Sequence, residues 1–593
     1  MRIKFNFKKC VWVLASMVAG ALAASAVPAH PSPVDVNQSD GTTLTVRLVG
    51  DEFYHRTMTT DGYTLLQLSN GDYVYAQEST ASRLVPSRVI AHNPQARNAQ
   101  ELRLLSSLPK GLTDKSLITR GQATRQKRDK LMAPRRTDYQ NFRGLLILIN
   151  YNDRTFTYDY DYFNTLMNQQ NYSGYYNDYG EFVPCTGSAR DYFYQNSMGM
   201  FDPVFDVVGP VNVDYSCTTP NGTDDIGGIL IDAVNKVDPL VDFSQYDGDG
   251  DGEVDMIYFI VAGYTSNFSG NNSGYMWPHQ YYLFEFTDEL YDGVYLSRYS
   301  CSGEIYGWER YGDIDPNGIG TIVHEFTHAL GIMDLYDTDY AQNGQANDPG
   351  KWDVMSGGSY LNNARTPPGY SIWERYRLGF AEPEVIIEKK AGYSLEPVNT
   401  SNTGYMLLTP NDNEVFMVEN RQKTGWDEYL PGHGMLVTRV EYDEDQWWYN
   451  TINSNADHMY YELLRAGNGT GVHNHDPFPG TNQVTILNNL TTPNLLTWDG
   501  QENEMGFNHI AEVNGVIYFD IVNGDGTVPT HGFKVGDLNH DGTVDIDDVA
   551  TLINLVLGND SSGCLVCANV DQSEGGTIDI DDVAALIAII LNN

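Results

Sequence analysis

The periodicity of apolar and polar positions changes several times along the chain and predicts a succession of different elements. Residues 27 to about 100 alternate apolar and polar side chains between turns, as in LTVRL at 44–48, which is typical of half-buried strands. The apolar run at 145–149 indicates a buried strand instead. Alternation returns in short stretches between about 386 and 525. The pattern therefore predicts two β-rich regions and, between them, a domain with a buried sheet.

One central stretch has helical spacing and carries the clearest chemistry of the chain. Apolar side chains recur three and four residues apart from 322 to 330, and Gly331 is placed to end the helix. His324 and His328 lie four residues apart on this helix and therefore share one face. Two imidazoles on one face can hold a zinc ion at about 2.0–2.1 Å each. Glu325 occupies the position of a general base beside the metal. The alternative is a pair of surface histidines on an amphipathic helix.

A third ligand is available a short distance downstream. Gly331 can adopt the left-handed conformation that reverses the chain at a helix end, and Asp334 follows on the returning segment. Met355 follows further downstream, in a tight turn within WDVMSGG. We therefore expect Asp334 to be the third zinc ligand. His279 and His433 are the alternatives for that place.

The acidic loop that precedes the apolar segment 256–262 predicts a calcium site. Carboxylates occur at positions 1, 3, 5 and 9 around a glycine at position 6, as in a loop of the EF-hand type. Position 12 is Tyr258, so the bidentate glutamate is missing and a ligand from elsewhere is needed. A solvated acidic turn is the alternative. The candidate calcium ligands are Asp247, Asp249, Asp251, Glu253 and Asp255.

The end of the chain repeats itself at a spacing of 34 residues, the difference between Asp537 and Asp571. Each repeat is a twelve-residue acidic loop that leads into an apolar helix, at 549–557 and at 583–591. The first loop offers Asp537, Asn539, Asp541, Thr543, Asp545 and Asp548 to calcium. The second offers Asp571, Ser573, Thr577, Asp579 and Asp582. Gly575 replaces a ligand of the second loop, which therefore should bind calcium more weakly or use the neighbouring Glu574. A calcium-stabilised cap without a partner is the alternative to a docking module.

Net charge, the N-terminal segment and the cysteines limit the classes of function that the chain can have. The formal net charge of −42 argues against nucleic-acid binding, which needs a basic face. A basic start, an apolar run and three small residues predict an export signal over 1–26, with a core too short for a membrane anchor. No later segment has the length of a membrane span. Cys564 and Cys567 suit a local disulfide or apolar burial, because no second pair exists for a zinc knuckle.

A basic stretch separates the N-terminal β-rich unit from the remainder of this acidic protein. Nine lysines and arginines lie between 110 and 136, which is typical of an exposed linker. In an exported hydrolase, residues 27–136 are then interpreted as a propeptide with a cleavable linker. A permanent N-terminal domain on a flexible tether is the alternative.

The residues around the histidine pair resemble a known group of proteases. The segment HEFTHALGIMD at 324–334, followed by Met355, is similar to the metzincins, whose third ligand is usually histidine. With aspartate in that place and DVMSGG after it, the sequence resembles the immune inhibitor A family of secreted bacterial zinc proteases. The similarity covers roughly 140–525 and includes WPH at 277–279 and ENRQ at 419–422. The C-terminal repeat resembles dockerin modules, which dock onto cohesin domains of a scaffold.

These observations predict a multidomain α+β protein. Its expected parts are a signal peptide (1–26), a β-rich propeptide with a basic linker (27–136), a zincin-type catalytic domain with a mixed sheet and an active-site helix (137–385), a β-sandwich-like accessory domain (386–530) and a small α-helical, dockerin-like calcium module (531–593).

The expected function is that of a secreted zinc endopeptidase that is made as a zymogen and acts on proteins or peptides. Glu325 is its expected general base, and Gly331 and Met355 are expected to shape the metal site. Zinc and calcium are the expected cofactors, a cohesin-type scaffold is the expected partner, and no membrane span is expected. The alternative function is that of a catalytically inert, calcium-dependent adhesion or scaffold-binding protein on a protease fold.

Overall fold

The computed structural model describes sixteen segments of the chain. They are 29–30, 32–50, 55–68, 70–79, 84–114, 139–140, 142–177, 179–218, 223–268, 274–339, 344–467, 473–529, 535–538, 544–557, 565–571 and 578–592. The predicted export signal and most of the predicted basic linker lie outside these residues. The predicted calcium ligands Asn539, Asp541, Thr543, Ser573 and Thr577 lie outside them as well. None of the described helices is both long enough and apolar enough to cross a bilayer.

The N-terminal unit is an antiparallel sheet of six strands in sequence order. The strands are β1 (Val34–Asn37), β2 (Thr43–Gly50), β3 (His55–Thr59), β4 (Thr64–Gln67), β5 (Tyr73–Glu78) and β6 (Leu84–Ile90). Alternate residues of β1 and β2 are buried, which is the period of two that the sequence shows. Helix α1 (Ala99–Leu105) follows and begins with a capping box between Asn98 and Glu101.

The central unit is built on a five-stranded sheet with one reversed edge. In spatial order its strands are β10 (Val204–Asn212), β7 (Arg143–Asn150), β11 (Ile257–Val261), β15 (Arg298–Gly303) and β12 (His279–Tyr282). The first four are parallel and β12 is antiparallel to β15. Every residue of β11 is buried, as expected of a parallel strand covered on both faces. Two short hairpins lie outside this sheet, β8 (Gly174–Tyr176) with β9 (Phe182–Pro184) and β13 (Leu290–Tyr291) with β14 (Val294–Tyr295).

The central unit also contains four described helices, α2 (Tyr160–Asn168), α3 (Ala189–Asn196), α4 (Thr223–Val237) and α5 (Ile319–Ala329). All eleven residues of α5 are buried, and the helix packs against β15 and β12. At its start, the N–H of Gly320 donates to the carbonyl of Ala364 at 2.7 Å. At its end, Gly331 has a φ of +99°, which confirms the predicted reversal of the chain at this glycine.

A second β-rich region follows helix α6 (Ile372–Leu378). Its five-stranded sheet has the order β16 (Glu384–Ile386), β18 (Tyr405–Leu408), β19 (Glu414–Arg421), β20 (Gly434–Glu441) and β21 (Tyr461–Leu464). A three-stranded sheet has the order β17 (Tyr393–Leu395), β23 (Val516–Asn523) and β22 (Met505–Val513). Side chains of both sheets share one apolar core. Helices α7 (Val398–Ser401) and α8 (Glu444–Trp448) lie within this region.

The C-terminal segment contains helices α9 (Ile546–Val556), α10 (Leu565–Ala568) and α11 (Ile580–Asn592). Helices α9 and α11 pack against each other around a small core that includes Leu552 and Leu586. These two residues occupy equivalent positions of the two repeats. Cys567 is buried and disulfide-bonded, and its predicted partner Cys564 lies outside the described residues.

Single-turn 3₁₀ helices complete the described secondary structure. They span Pro94–Ala96, Asp238–Leu240, Phe243–Tyr246, Leu283–Glu285, Glu309–Tyr311, Gly350–Trp352, Gly357–Tyr360, Gly425–Asp427 and His473–His475.

Candidate metal centre

The structure brings the three predicted zinc ligands together in the interior. The Nε2 atoms of His324 and His328 are 3.2 Å apart. Oδ1 of Asp334 lies 3.3 Å from Nε2 of His324 and 3.2 Å from Nε2 of His328. Both histidines are fully buried, and Asp334 is 1% exposed. Three ligand atoms from helix α5 and the returning segment therefore face one point.

The hydrogen bonds of the two imidazoles fix which nitrogen faces that point. Nδ1 of His324 lies 2.7 Å from the carbonyl oxygen of Val354, and Nδ1 of His328 lies 2.7 Å from that of Ile332. A carbonyl can only accept, so each Nδ1 carries the proton and each Nε2 presents a lone pair. Main-chain acceptors of this kind orient metal-binding histidines. The donor set of two imidazole nitrogens and one carboxylate oxygen therefore fits zinc.

Asp334 meets the imidazoles through one oxygen only. Its other oxygen, Oδ2, accepts a hydrogen bond of 2.7 Å from Nδ2 of Asn450. Burial alone would raise the pKa of the Asp334 carboxyl, but the imidazoles of His328 and His324, when they carry protons on Nε2 at the place a cation would take, hold that pKa well below its usual range. The side chain is therefore an ionised carboxylate, which is the form that binds a cation.

Glu325 lies on the same helix, next to the first ligand, and is fully buried. Its main-chain carbonyl accepts a hydrogen bond of 2.9 Å from Oγ of Ser300 on β15. Burial raises the pKa of the phenols of Tyr258 and Tyr360, and the charge of Glu325 adds to both shifts. Both phenols are therefore protonated and lie within electrostatic range of the candidate base.

Met355 lies in a turn that is hydrogen-bonded to the segment that carries Asp334. Its side chain is fully buried, its N–H donates to Oδ1 of Asp353 at 2.8 Å, and its carbonyl accepts from the N–H of Leu335 at 2.9 Å. The carbonyl of the preceding residue, Val354, is the acceptor for His324. This turn therefore positions two of the three candidate ligands.

The two rival histidines lie in other environments. Nε2 of His279 is 2.8 Å from the hydroxyl of Tyr299, and its Nδ1 is 2.7 Å from the carbonyl of Trp277. His433 is paired with Glu512 at 2.8 Å. Among the described residues, the buried cluster that can hold a metal consists of His324, His328 and Asp334.

The predicted calcium loop of the central unit is assembled in part. Asp247, Asp249 and Asp251 form the second cluster that can hold a metal within the described segments. Glu253 and Asp255 are outside that cluster. Oε2 of Glu253 accepts from Oγ of Ser297 at 2.9 Å, and Oδ2 of Asp255 accepts from the N–H of Gly248 at 3.0 Å. The structure therefore brings three of the five predicted ligands together.

The last carboxylate of each C-terminal loop accepts two main-chain hydrogen bonds, one from equivalent residues of the two repeats and one from residues that differ by one loop position. Asp548 accepts from the N–H groups of Leu538 at 2.7 Å and Asp545 at 2.9 Å. Asp582 accepts from the N–H groups of Asp571 at 3.1 Å and Asp579 at 2.8 Å. The repeat that the sequence shows is therefore also a repeat of local structure.

Asn450 is a residue of the site that the sequence does not indicate. It lies 116 residues beyond Asp334, in the second β-rich region, and it is fully buried. No motif marks it, since it is one asparagine in a segment rich in asparagine and tyrosine. Only the tertiary structure places it beside the third ligand.

A buried His-His-Asp cluster with a glutamate on the same helix, packed against a mostly parallel sheet, is the arrangement of a metallopeptidase. Residues 140–377 match the family model described as "Immune inhibitor A peptidase M6, catalytic domain". Over 181 residues the chain is 28% identical to "Immune inhibitor A" of Bacillus thuringiensis subsp. alesti, which covers 27% of this chain and 26% of that protein. The match thus spans about a quarter of the length of this curated relative. Both comparisons support the immune inhibitor A family and a metallopeptidase, and the candidate ligands and Glu325 lie within 140–377.

Proposed function

We propose that the protein is a secreted, zinc-dependent endopeptidase that hydrolyses peptide bonds of extracellular proteins. The observation that carries the proposal is the convergence of two Nε2 atoms and one Oδ1 atom, each within 3.3 Å of the others, beside Glu325. The similarity of the surrounding residues to a peptidase catalytic domain supports it. His324, His328 and Asp334 hold the zinc in this proposal, and Met355 underlies it.

In this proposal, Glu325 and the zinc ligands have separate roles in hydrolysis. Zinc, when bound, supplies a Lewis acid that lowers the pKa of a water molecule and polarises the peptide carbonyl. Glu325 takes the proton of the attacking water and delivers it to the leaving amine. The burial of Glu325 removes bulk water that would compete for this proton. The fixed Nδ1 contacts keep both imidazoles in one tautomer throughout.

Replacement of the base tests the proposal directly. Glu325→Gln preserves the size of the side chain and all three ligands, so the variant is expected to bind one zinc ion. Its kcat/KM on casein should fall by about 10²–10⁴-fold, because the proton carrier is lost. The matched control is Glu388→Gln, whose carboxylate is 65% exposed on the second β-rich region and should leave kcat/KM unchanged.

Zinc-loaded Glu325→Gln with wild-type activity would refute the assignment, as would full activity after zinc is removed by a strong chelator. The same measurement separates the alternative function. An inert adhesion or scaffold-binding protein would cleave no casein even when the zinc-loaded wild type has been cut in the basic linker to release the N-terminal unit.

We also propose that the N-terminal unit keeps the enzyme latent. The imidazole of His30 stacks on Phe268 with ring centres 4.8 Å apart and meets the ring of Tyr360 edge-on at 4.8 Å. Nε2 of His30 lies 2.5 Å from the hydroxyl of Tyr306. The charge of Glu325 also acts on Tyr360, so the N-terminal segment contacts a residue within electrostatic range of the candidate base. Cleavage in the basic linker would release it.

A docking role for the C-terminal module has a specific supporting observation. Its two repeats expose apolar side chains at equivalent positions, 34 residues apart. They are Ile546 and Ile580 (69% and 66% exposed), Ile553 and Ile587 (39% and 41%), and Leu557 and Leu591 (65% and 80%). Within each helix the three residues share one face. We propose that this apolar surface, which we call the repeat surface, binds a cohesin-type scaffold domain once calcium occupies the loops.

A further inference from the structure

The side-chain amide of Asn450 forms two hydrogen bonds with Asp334. Its Nδ2 donates to Oδ2 of Asp334 at 2.7 Å, and its Oδ1 accepts from the N–H of Asp334 at 3.0 Å. Because the N–H can only donate, the oxygen of the amide must face it and the NH₂ group must face the carboxylate. Both residues are buried, so bulk water does not compete for either hydrogen bond.

The two carboxylate oxygens of Asp334 therefore have different contacts. Oδ2 is held by a neutral donor, whereas Oδ1 faces His324 and His328 at 3.3 and 3.2 Å. Without the amide, the carboxylate could rotate about its last bond or present both oxygens to the cation. The amide therefore favours coordination through one oxygen, along a fixed direction.

Asn450 is itself held in place. Its φ of +52° is in the left-handed region, which asparagine adopts more readily than most residues. Its carbonyl accepts from Oγ1 of Thr338 at 2.9 Å. Nearby, Nδ2 of Asn453 donates to the carbonyl of Leu335 at 2.7 Å. The segment 450–453 therefore forms several hydrogen bonds with the segment 334–338.

We propose that Asn450 is a positioning residue for the third metal ligand, so that a segment outside the stretch 140–377 completes the metal centre. The inference rests on the zinc site proposed above. Hydrogen bonds to a metal-binding side chain typically change metal affinity by about 10–100-fold when they are removed. Asn450 acts through Asp334 and touches neither the zinc nor the substrate.

The test uses Asn450→Asp in the full chain. This change keeps the shape of the side chain but places a carboxylate oxygen against Oδ2 of Asp334. The dissociation constant of zinc, measured by competition with a chromophoric chelator, should rise by about 10–100-fold. In the cobalt-substituted protein, the visible absorption bands should shift, because they report the geometry of the ligands. A merely structural role would not move these bands.

The matched control is Asn489→Asp, elsewhere in the second β-rich region. Nδ2 of the buried Asn489 donates to the carbonyl of Asn503 at 2.8 Å and its Oδ1 accepts from the N–H of Asn503 at 3.1 Å, so the change disrupts the same kind of amide pair away from the ligands. It should lower the melting temperature and leave the zinc constant within about threefold of wild type. If Asn450→Asp does not fold, Asn450→Ser, whose side chain is too short to span both contacts, should show the same loss of affinity.

Wild-type zinc affinity and cobalt spectrum in either Asn450 variant would overturn the inference. So would an equal loss of affinity in the control. A wild-type chain that binds no zinc would instead overturn the proposed function, so the two failures are distinguishable.

Discussion

At the scale of single residues, two glycines at opposite ends of helix α5 meet different constraints. A Cβ at Gly320 would lie 1.9 Å from the carbonyl oxygen of Ser359, so the helix and the segment after the Met355 turn are in backbone contact there. Gly331 has no heavy atom within 4 Å of its hypothetical Cβ and is required only for its φ of +99°. The first glycine allows close packing, and the second allows the chain to reverse.

Gly320→Ala should therefore be the more harmful change. A methyl group there forces the helix away from 359–364, and overpacking of this kind costs typically about 1–3 kcal/mol, more when backbone is displaced. Gly331→Ala, the matched control, should cost about 1 kcal/mol from conformation alone. Urea unfolding of both variants measures the difference, and an equal free energy of unfolding would contradict the close approach at Gly320.

At the scale of elements, the N-terminal segment is joined to the central unit through a neutral histidine. Burial, together with the nearby charge of Lys351, lowers the pKa of His30 to about 3. The N–H of His30 also donates to the carbonyl of Asn267 at 2.8 Å. Between pH 6.5 and about 3 the released segment thus binds a proton that the docked segment does not, so docking is strongest above pH 6.5 and weakens as the pH falls.

We expect acidification to open this contact measurably. From pH 6.5 to 5 the docking free energy should fall by about 1.6 kcal/mol, or roughly 16-fold in the opening equilibrium, because the released imidazole is already half protonated at pH 6.5. Hydrogen exchange of the His30 amide, corrected for its intrinsic pH dependence, reports that equilibrium. In His30→Phe the ring contacts remain but the titrating group is absent, so the pH dependence should vanish. Its persistence in this variant would assign the effect to other groups.

At the scale of the whole molecule, the C-terminal module presents the same apolar face twice. Exposed apolar residues that recur together on one face are more typical of a binding site than singly scattered ones. In each repeat the neighbouring residues Asp548 and Asp582 are buried and tie the loop to the helix that carries this face. Occupation of the loops by calcium would therefore stiffen the repeat surface.

The double variant Ile546→Asp/Ile580→Asp should abolish docking. Removal of two large apolar contacts should weaken calcium-dependent binding to a recombinant cohesin-type domain by about 100-fold or more. The control, Asn554→Asp/Ala588→Asp, adds the same charge at exposed equivalent positions beside the surface and should bind normally. Titration calorimetry measures both, and unchanged affinity of a folded Ile546→Asp/Ile580→Asp protein would contradict the docking role.

Much of this organisation follows from local pattern. The apolar run at 145–149 is strand β7, and the periodicity from 322 to 330 is helix α5 at Ile319–Ala329, because these signals depend only on neighbouring residues. The HExxH spacing likewise determines which two imidazoles share a face. The strand order β10-β7-β11-β15-β12 and the reversed edge strand depend on contacts between distant segments, which no local period encodes.

The candidate metal centre divides in the same way. His324, His328 and Asp334 lie within eleven residues, and their grouping could be predicted from the motif and the glycine turn. Asn450 could not, because its only link to them is tertiary. In the acidic loop, Glu253 reaches Ser297 on a neighbouring segment, so its place outside the cluster depends on a residue that the loop sequence does not contain.

The separation of 116 residues between Asp334 and Asn450 also has a consequence for the order of events during synthesis. At about 5–20 residues per second, roughly 6–23 s pass between the appearance of the ligand and that of its support. During that interval the ligand triad exists without the amide that orients Asp334. Stable capture of the cation should therefore wait until the second β-rich region has emerged and folded. The peptidase would then acquire its reactivity late, when most of the chain is already complete.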